Sequence, residues 1–365
     1  MIRAAIREQK GWISFATFME LALYAPGLGY YAAGARKFGA AGDFVTAPEI
    51  SSLFGQCVAR SIAETIRTTS GDVLELGPGS GKLACDVLTE LDRLNALPKK
   101  YRLLEVSADL RQRQTQALER LPSHLAARAE WLDQLPNNFE GAMIANEVLD
   151  VVPVHLLHFS GDKVFERGVC IDAQSHFVWR DEPLAPALRE TAERIMAGNE
   201  LPNDYLTEAA PAVDGLVTSL AHSLTRGTIL LIDYGYRRAE FYHPSRVLGT
   251  LMCHYRHYAH ADPFLYPGLQ DITAHVDFTR VAEVGIAAGL ELTGFTSQAQ
   301  FLMSAGIPDL MRAYDPRDAA VYLPMTNQVQ RLMSPAEMGD FFKVIGFAKA
   351  VAGNAALVNA RPLPL

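Results

Sequence analysis

Cysteine is scarce in this chain of 365 residues: Cys57, Cys85, Cys170 and Cys253 are the only four, and no two form a C-x-x-C pair. Their separation excludes a disulfide framework, argues against a zinc site and fits a reducing compartment. Long apolar runs are lacking too. No stretch of 18 or more apolar residues occurs, so no membrane insertion is expected. Met1-Ile2-Arg3-Ala4-Ala5-Ile6-Arg7 leads into Glu8 and Lys10 instead of a signal core, and Glu8 also counts against an organelle presequence, which makes the cytoplasm the expected setting. Positive charge is in deficit, with 33 Lys and Arg against 41 Asp and Glu and a formal net charge of −8. A polyanion is therefore a poor main partner, and no nucleic-acid binding is expected. Internal repeats and low-complexity tracts are missing, which leaves changes in hydrophobic period as the guide to organisation.

What is present is apolar: 49% of residues are hydrophobic, enough for one large α/β domain with an insertion or for two modest domains. Four regions follow. Residues 1–70 read as a helical cover, with helices over Ile13 to Leu23 and Ser51 to Thr68 separated by two apolar, glycine-bearing loops, Tyr24 to Tyr31 and Gly42 to Glu49. Residues 71–150 alternate strand and helix: Val73 to Leu76, Lys82 to Leu94, Arg102 to Val106, Leu110 to Leu121 and Ala142 to Ala145, the pattern of a parallel sheet. In residues 151–225 the runs at 154–159, 163–171 and 176–179 alternate in short period, joined by Gly161-Asp162 and Asp172-Ala173-Gln174. They predict an inserted antiparallel meander, followed by helix from Leu188 to Leu224. Residues 226–365 return to the sheet through Thr228 to Ile232, with last strands near Leu290 to Ser297 and Phe342 to Ala350.

The segment Val73-Leu74-Glu75-Leu76-Gly77-Pro78-Gly79-Ser80-Gly81 is a buried strand running into three spaced glycines. Without Cβ atoms, Gly77, Gly79 and Gly81 let backbone approach a ligand. Two phosphate readings fail on spacing. A dinucleotide fingerprint has its third glycine where Lys82 stands, and a P-loop needs glycine where Leu76 stands and a hydroxyl where Leu83 stands. Glu75 would repel a pyrophosphate but can accompany the sulfonium and ammonium of S-adenosylmethionine, which is the expected cofactor. Glu105 ends the second strand 28 residues after Gly77, where an acid can accept both ribose hydroxyls. Trp131-Leu132-Asp133 is open between flanking adenine and being a buried Trp with a turn Asp.

A third cluster, Ile144-Ala145-Asn146-Glu147-Val148-Leu149-Asp150, delivers Asn146, Glu147 and Asp150 to the same sheet edge, where a transferred methyl would lie. A carboxylate there can orient an amine or guanidinium and stabilise its cation; N-capping by Asp150 and ordinary loop polarity are the alternative. His254, His257 and His260 recur every third residue. That spacing keeps them off one helical face, and no carboxylate or cysteine cluster completes a site, so no metal is expected. Asp271 and His275 stand four apart at an expected helix start and are further candidates for the acceptor side, or else an N-cap and a surface histidine.

Together these residues resemble the MidA family, whose mitochondrial members are complex I assembly-factor protein arginine methyltransferases. The resemblance spans almost the whole chain. It is carried by Gly42-Asp43-Phe44-Val45-Thr46-Ala47-Pro48-Glu49-Ile50-Ser51, Glu75 through Leu83, Asn146 through Asp150, Ile232-Asp233-Tyr234-Gly235, and Pro267 through Asp277. Pro78 stands where the family often has a small residue and should stiffen the turn. The resemblance implies a class I fold, S-adenosylmethionine as cofactor and an arginine of a respiratory-chain subunit as acceptor.

The resulting expectation is a Rossmann-like, seven-stranded class I methyltransferase sheet with an N-terminal helical cover and an inserted β meander, acting on a protein side chain, arginine first. Glu75, Gly77, Pro78, Gly79, Gly81, Glu105 and Asn146, with Thr46, Pro48 and Glu49 from a covering loop, are the expected cofactor neighbours. Asn146, Glu147, Asp271 and His275 face the acceptor. A small-molecule N- or O-methyltransferase and a non-catalytic assembly factor that keeps the fold are the alternatives. The apolar N-terminal loops suit either a cofactor lid or a homodimer surface.

Overall fold

A computed structural model describes residues 1–32 and 45–357. Its centre is the apolar run Asp72–Leu76, which hydrogen-bonds in parallel to Tyr101–Leu104 on one side and Phe139–Asn146 on the other. Seven strands lie in the order Glu291–Ser297, Phe342–Lys349, Leu224–Tyr236, Phe139–Asn146, Asp72–Leu76, Tyr101–Leu104, Ala129–Leu132. The last five are parallel, and Phe342–Lys349 runs antiparallel between its two neighbours. A short strand, Val276–Asp277, extends the sheet beside the end of Leu224–Tyr236.

Successive residues feed opposite cores, as period two requires. Val73, Ile144, Leu230 and Ile232 join the layer built by the helices Ser52–Thr69 and Lys82–Arg93. Leu74, Met143, Ala145, Ile229 and Leu231 join the layer of Pro211–Ser223 and Phe278–Ala287. From Asp72–Leu76 the chain winds outward through Tyr101–Leu104 and Ala129–Leu132, then returns to the other flank as Phe139–Asn146. The strand order reverses there, and the crevice at the carboxyl ends of these strands is where such sheets bind ligands.

The insertion departs from expectation in two places. Where helix was expected from Leu188 to Leu224, the chain forms Arg189–Gly198, a strand Tyr205–Ala209 and then Pro211–Ser223. Pro202 and a left-handed Asp204 (φ 65°) break the helical run, and Tyr205–Ala209 pairs antiparallel with His155–Ser160. Near the N-terminus, the helix expected from Ile13 begins at Phe15. Ser14 Oγ accepts from the Thr17 amide at 3.2 Å, capping that helix, while Ile13 and Ser14 pair with Val169 and Gly168. The segment before the helix thus completes the sheet of the insertion, whose other strands are His155–Ser160, Lys163–Ile171, Phe177–Pro183 and Tyr205–Ala209. The helix Phe15–Tyr24 buries Phe15, Phe18, Met19 and Leu23, and Phe18 meets Phe177 and Phe264 edge-on.

A third, three-stranded sheet joins Met252–Tyr255, Tyr258–His260 and Asp271–Thr273. The expected helix start at Asp271 is therefore a strand, and the helix begins at Phe278 with Asp277 as its cap, its side chain accepting from the Arg280 amide at 3.1 Å. Among the described residues no helix is long and apolar enough to cross a membrane.

Candidate functional site

The crevice holds a cavity of about 610 Å³, within the range of small-molecule sites. At one end the chain leaves Asp72–Leu76 through Gly77 and Gly79, with φ of 57° and 53°. A Cβ on Gly77 would meet Val148 Cγ2 at 2.9 Å, so the turn leaves no room for a side chain. Gly81 (φ 82°) sits behind the turn as the cap of the helix Lys82–Arg93 and does not line the cavity, whereas Glu75, Gly77, Pro78 and Gly79 do. Glu75 is buried and accepts the Tyr101 hydroxyl at 2.6 Å; burial pushes its carboxyl up to about 7 against the pull of that hydrogen bond.

Glu105 reaches the same end. Its Oε1 accepts from the Ser107 amide at 2.8 Å and its Oε2 from Gln114 Nε2 at 3.0 Å, and burial raises its pKa. Gln114 is fully buried. It also donates to the Gly79 carbonyl at 2.9 Å and accepts from Trp131 Nε1 at 2.9 Å, tying the glycine turn to Glu105. That contact makes Trp131 a support for Gln114. Asp133 pairs with Arg111, and neither Trp131 nor Asp133 lines the cavity.

At the other end Asn146, Glu147, Asp150 and Asp271 converge with Tyr24, Tyr31, Tyr234 and His275. Glu147 is a left-handed residue (φ 55°) whose Oε1 accepts Asn146 Nδ2 at 3.0 Å. Desolvation and the charge of Asp150 push its carboxyl up to about 8. Asp150 is buried, accepts the Tyr234 hydroxyl and is raised to about 6 by burial. Its Oδ1, Asn146 Oδ1 and His275 Nδ1 have no hydrogen-bond partner among the described residues. Tyr31 donates to Asp271 Oδ1 at 3.1 Å and stacks on Tyr24, whose hydroxyl donates to the Val151 carbonyl. His275 lies between the rings of Tyr234 and Tyr236. Burial, helped by Arg246 and Lys343, drops its pKa to about 4, so it is a neutral imidazole at physiological pH.

The structure thus gathers Glu75, Glu105, Asn146, Glu147, Asp271 and His275 around one cavity, with Thr46, Pro48 and Glu49 on its wall and Ser80 Oγ donating to Glu49. The Gly42 to Phe44 part of the loop expected over the cofactor lies outside the described residues. Sequence reasoning missed Gln114, Tyr101, Tyr24 and Tyr234 as parts of the site. Tyr234 follows Asp233 in a quoted motif, and Tyr24 opens a quoted aromatic stretch. Gln114 sits in a polar helix that gives no signal.

The sheet order and the glycine turn at its switch point define a class I, Rossmann-like methyltransferase. Residues 57–296 match a family described as "Putative S-adenosyl-L-methionine-dependent methyltransferase", and the chain belongs to that family, in agreement with the MidA resemblance. A protein from Burkholderia thailandensis, described as a "likely methyl transferase" and crystallised bound to S-adenosyl-homocysteine, superposes with a TM-score of 0.93 at 48% identity, covering 97% of this chain and 92% of that one. Protein arginine methyltransferase NDUFAF7, mitochondrial, from Homo sapiens is 29% identical over 91% of this chain and 79% of its own length. Its Caenorhabditis elegans homologue is 28% identical over 83% of this chain and 75% of its own length.

The cytoplasmic expectation does not survive these names, since both relatives are called mitochondrial. It rested on the missing signal core, on Glu8 and on the scattered cysteines, none of which specifies a compartment. The cofactor is S-adenosylmethionine, and the residues present fit it: a glycine turn where a Cβ on Gly77 would meet Val148, an acid one strand away, and a cavity with carboxylates at both ends. Gln114→Leu is expected to weaken S-adenosylhomocysteine binding about tenfold by calorimetry, because it strips a donor from buried Glu105 and from the Gly79 carbonyl, at about 1–3 kcal/mol.

Proposed function

We propose that this protein methylates a guanidinium nitrogen of a protein arginine, with a respiratory-chain subunit as the acceptor that the MidA resemblance implies. One observation carries the reading: among the described residues the cavity is lined by Glu49, Glu75, Glu105, Glu147, Asp150, Asp271 and Glu337, and by no lysine or arginine. Such a cavity favours cations, and a guanidinium offers five donors in a planar fork to Asn146 Oδ1 and Asp150 Oδ1, which have no partner among the described residues. The names of the curated relatives support arginine as the acceptor side chain.

When bound, S-adenosylmethionine supplies an electrophilic methyl group on a sulfonium that leaves as a neutral thioether. Gly77 and Gly79 would admit its methionine part and Glu105 would accept its ribose hydroxyls. Glu147 and Asp150 grip the arginine, and its positive charge favours their ionised forms over the neutral forms that burial promotes. The attacking nitrogen gains the methyl and loses one proton, which Asp150 Oδ1, without a partner among the described residues, would receive. The tyrosines Tyr24, Tyr31 and Tyr234 wall the acceptor end, and burial raises all three hydroxyl pKa values, so they stay neutral.

Mass spectrometry of matched wild-type and deletion cells tests this. Arginine peptides should lose one or two methyl groups in the deletion. Loss confined to a small molecule would favour the first rival, and cofactor binding with no methylated product would favour a binding module. The residues Tyr31, Val45, Thr46, Pro48 and Glu49 act in this reading as a cover that excludes water. Hydrogen exchange over residues 26–32 and 45–50 should slow on adding S-adenosylhomocysteine. Protection confined to residues 77–81 would instead favour a surface for a second copy of this chain.

A further inference from the structure

The motif Ile232-Asp233-Tyr234 belongs to the longest strand of the sheet, yet Asp233 does not line the cavity. It is 1% exposed, a place where a carboxylate is costly unless its oxygens are satisfied. Its Oδ2 accepts three consecutive amides, from Val148 at 3.1 Å, Leu149 at 2.8 Å and Asp150 at 3.3 Å, and its Oδ1 accepts the amide of Tyr234 at 2.9 Å. The flanking residues add to the hold. The Ile232 carbonyl accepts the Glu147 amide at 2.9 Å, and the Tyr234 hydroxyl donates to Asp150. Every amide from 147 to 150 is therefore bound by the tip of one neighbouring strand. Successive amides converging on one oxygen make an anion nest, and here the anion comes from the protein itself.

We infer that Asp233 is a positioning residue for methyl transfer, which clamps the turn 147–150 so that Glu147 and Asp150 face the arginine together. Glu147 needs that clamp, because its left-handed backbone is a conformation a non-glycine residue leaves unless its surroundings fix it. The clamp also has an electrostatic side. Burial first, then the charges of Asp150 and Glu147, holds the carboxyl of Asp233 well above its ordinary range. The inference rests on the reading of Glu147 and Asp150 as the acceptor-holding pair.

The experiment compares the full-length protein with Asp233→Asn and Asp233→Glu. S-adenosylhomocysteine affinity should change by no more than about twofold in Asp233→Asn, because the glycine turn and Glu105 are untouched. Incorporation of tritiated methyl from S-adenosylmethionine into arginine of proteins extracted from deletion cells should fall about tenfold to a hundredfold, the scale for a small misplacement of reacting groups. Asp233→Glu, which keeps two acceptor oxygens for the amides, should recover most of that rate. A residue that only supported the fold would lower cofactor affinity along with the rate.

Amide exchange at residues 148–150 reads the clamp without any acceptor and should quicken about tenfold or more in Asp233→Asn. Unchanged exchange overturns the inference even if arginine methylation stands. Quickened exchange with methyl incorporation at the parent rate overturns the role in transfer, and parallel loss of cofactor binding and turnover overturns it in favour of a folding role. If the label enters small molecules in place of arginine, the arginine reading fails, while the exchange result still decides the clamp.

Discussion

Glu147→Gln is expected to lower methyl transfer to arginine by about a hundredfold or more, on the order of 2.7–4 kcal/mol of transition-state stabilisation, while S-adenosylhomocysteine affinity stays within about twofold. Gln keeps the size and one acceptor oxygen but loses the charge that a guanidinium recruits. The same substitution has an opposite effect on stability. Desolvation first, then Asp150, raises the carboxyl of Glu147 to about 8 in the folded protein, against about 4.3 when unfolded. An acid with a raised folded pKa contributes stability that is complete below the unfolded value and is lost as pH rises through the folded one. The Gln variant should therefore melt near the parent temperature at pH 5 and above it at pH 9. Parent kcat/KM should rise with pH up to about 8, as Glu147 ionises. A Gln variant that methylates arginine at the parent rate would remove this residue from the mechanism.

Gly79→Val is expected to abolish cofactor binding in a protein that still folds. The backbone at Gly79 has φ of 53°, where a β-branched residue is strongly disfavoured. The turn also passes its carbonyl to Gln114 at 2.9 Å, so any relaxation of the strain breaks the tie to Glu105. Calorimetry with S-adenosylhomocysteine should show no heat of binding, and circular dichroism should show the parent spectrum. Parent-like binding would mean that the glycine turn does not hold the cofactor.

The parts of the molecule legible in the sequence are those where one local pattern carries the whole message. Val73 to Gly81 announces a strand end, a turn and a helix within nine residues, and the sheet around it follows from apolar runs at regular spacing. Partnerships made across the fold left no such mark. Gln114 becomes important only because Tyr101–Leu104 and Ala129–Leu132 pair in register and bring Trp131 and Glu105 to its two ends. Tyr205–Ala209 was concealed between two helical stretches, and its strand character comes from the edge of His155–Ser160 that it pairs with. Asp271 and His275 suggested a helix by their spacing of four. Pairing of Asp271–Thr273 with Met252–Tyr255 overrides that local preference and turns both side chains into the cavity wall.

The helix Phe15–Tyr24 carries a consequence for synthesis. Its buried face rests on Phe177 and Phe264, and its hydrophobic cluster extends to Ile272. Phe18 leaves the ribosome roughly 240 residues ahead of Phe264, which at 5–20 residues per second is about 12–50 seconds. Through that interval Phe15, Phe18, Met19 and Leu23 form an apolar stripe that lacks at least part of its partners, since Phe177 comes first and Phe264 and Ile272 last. Chaperone engagement of the nascent chain should accordingly begin with this helix and end only when the Met252–Thr273 sheet has emerged, so that the part of the protein made first is among the last to become native.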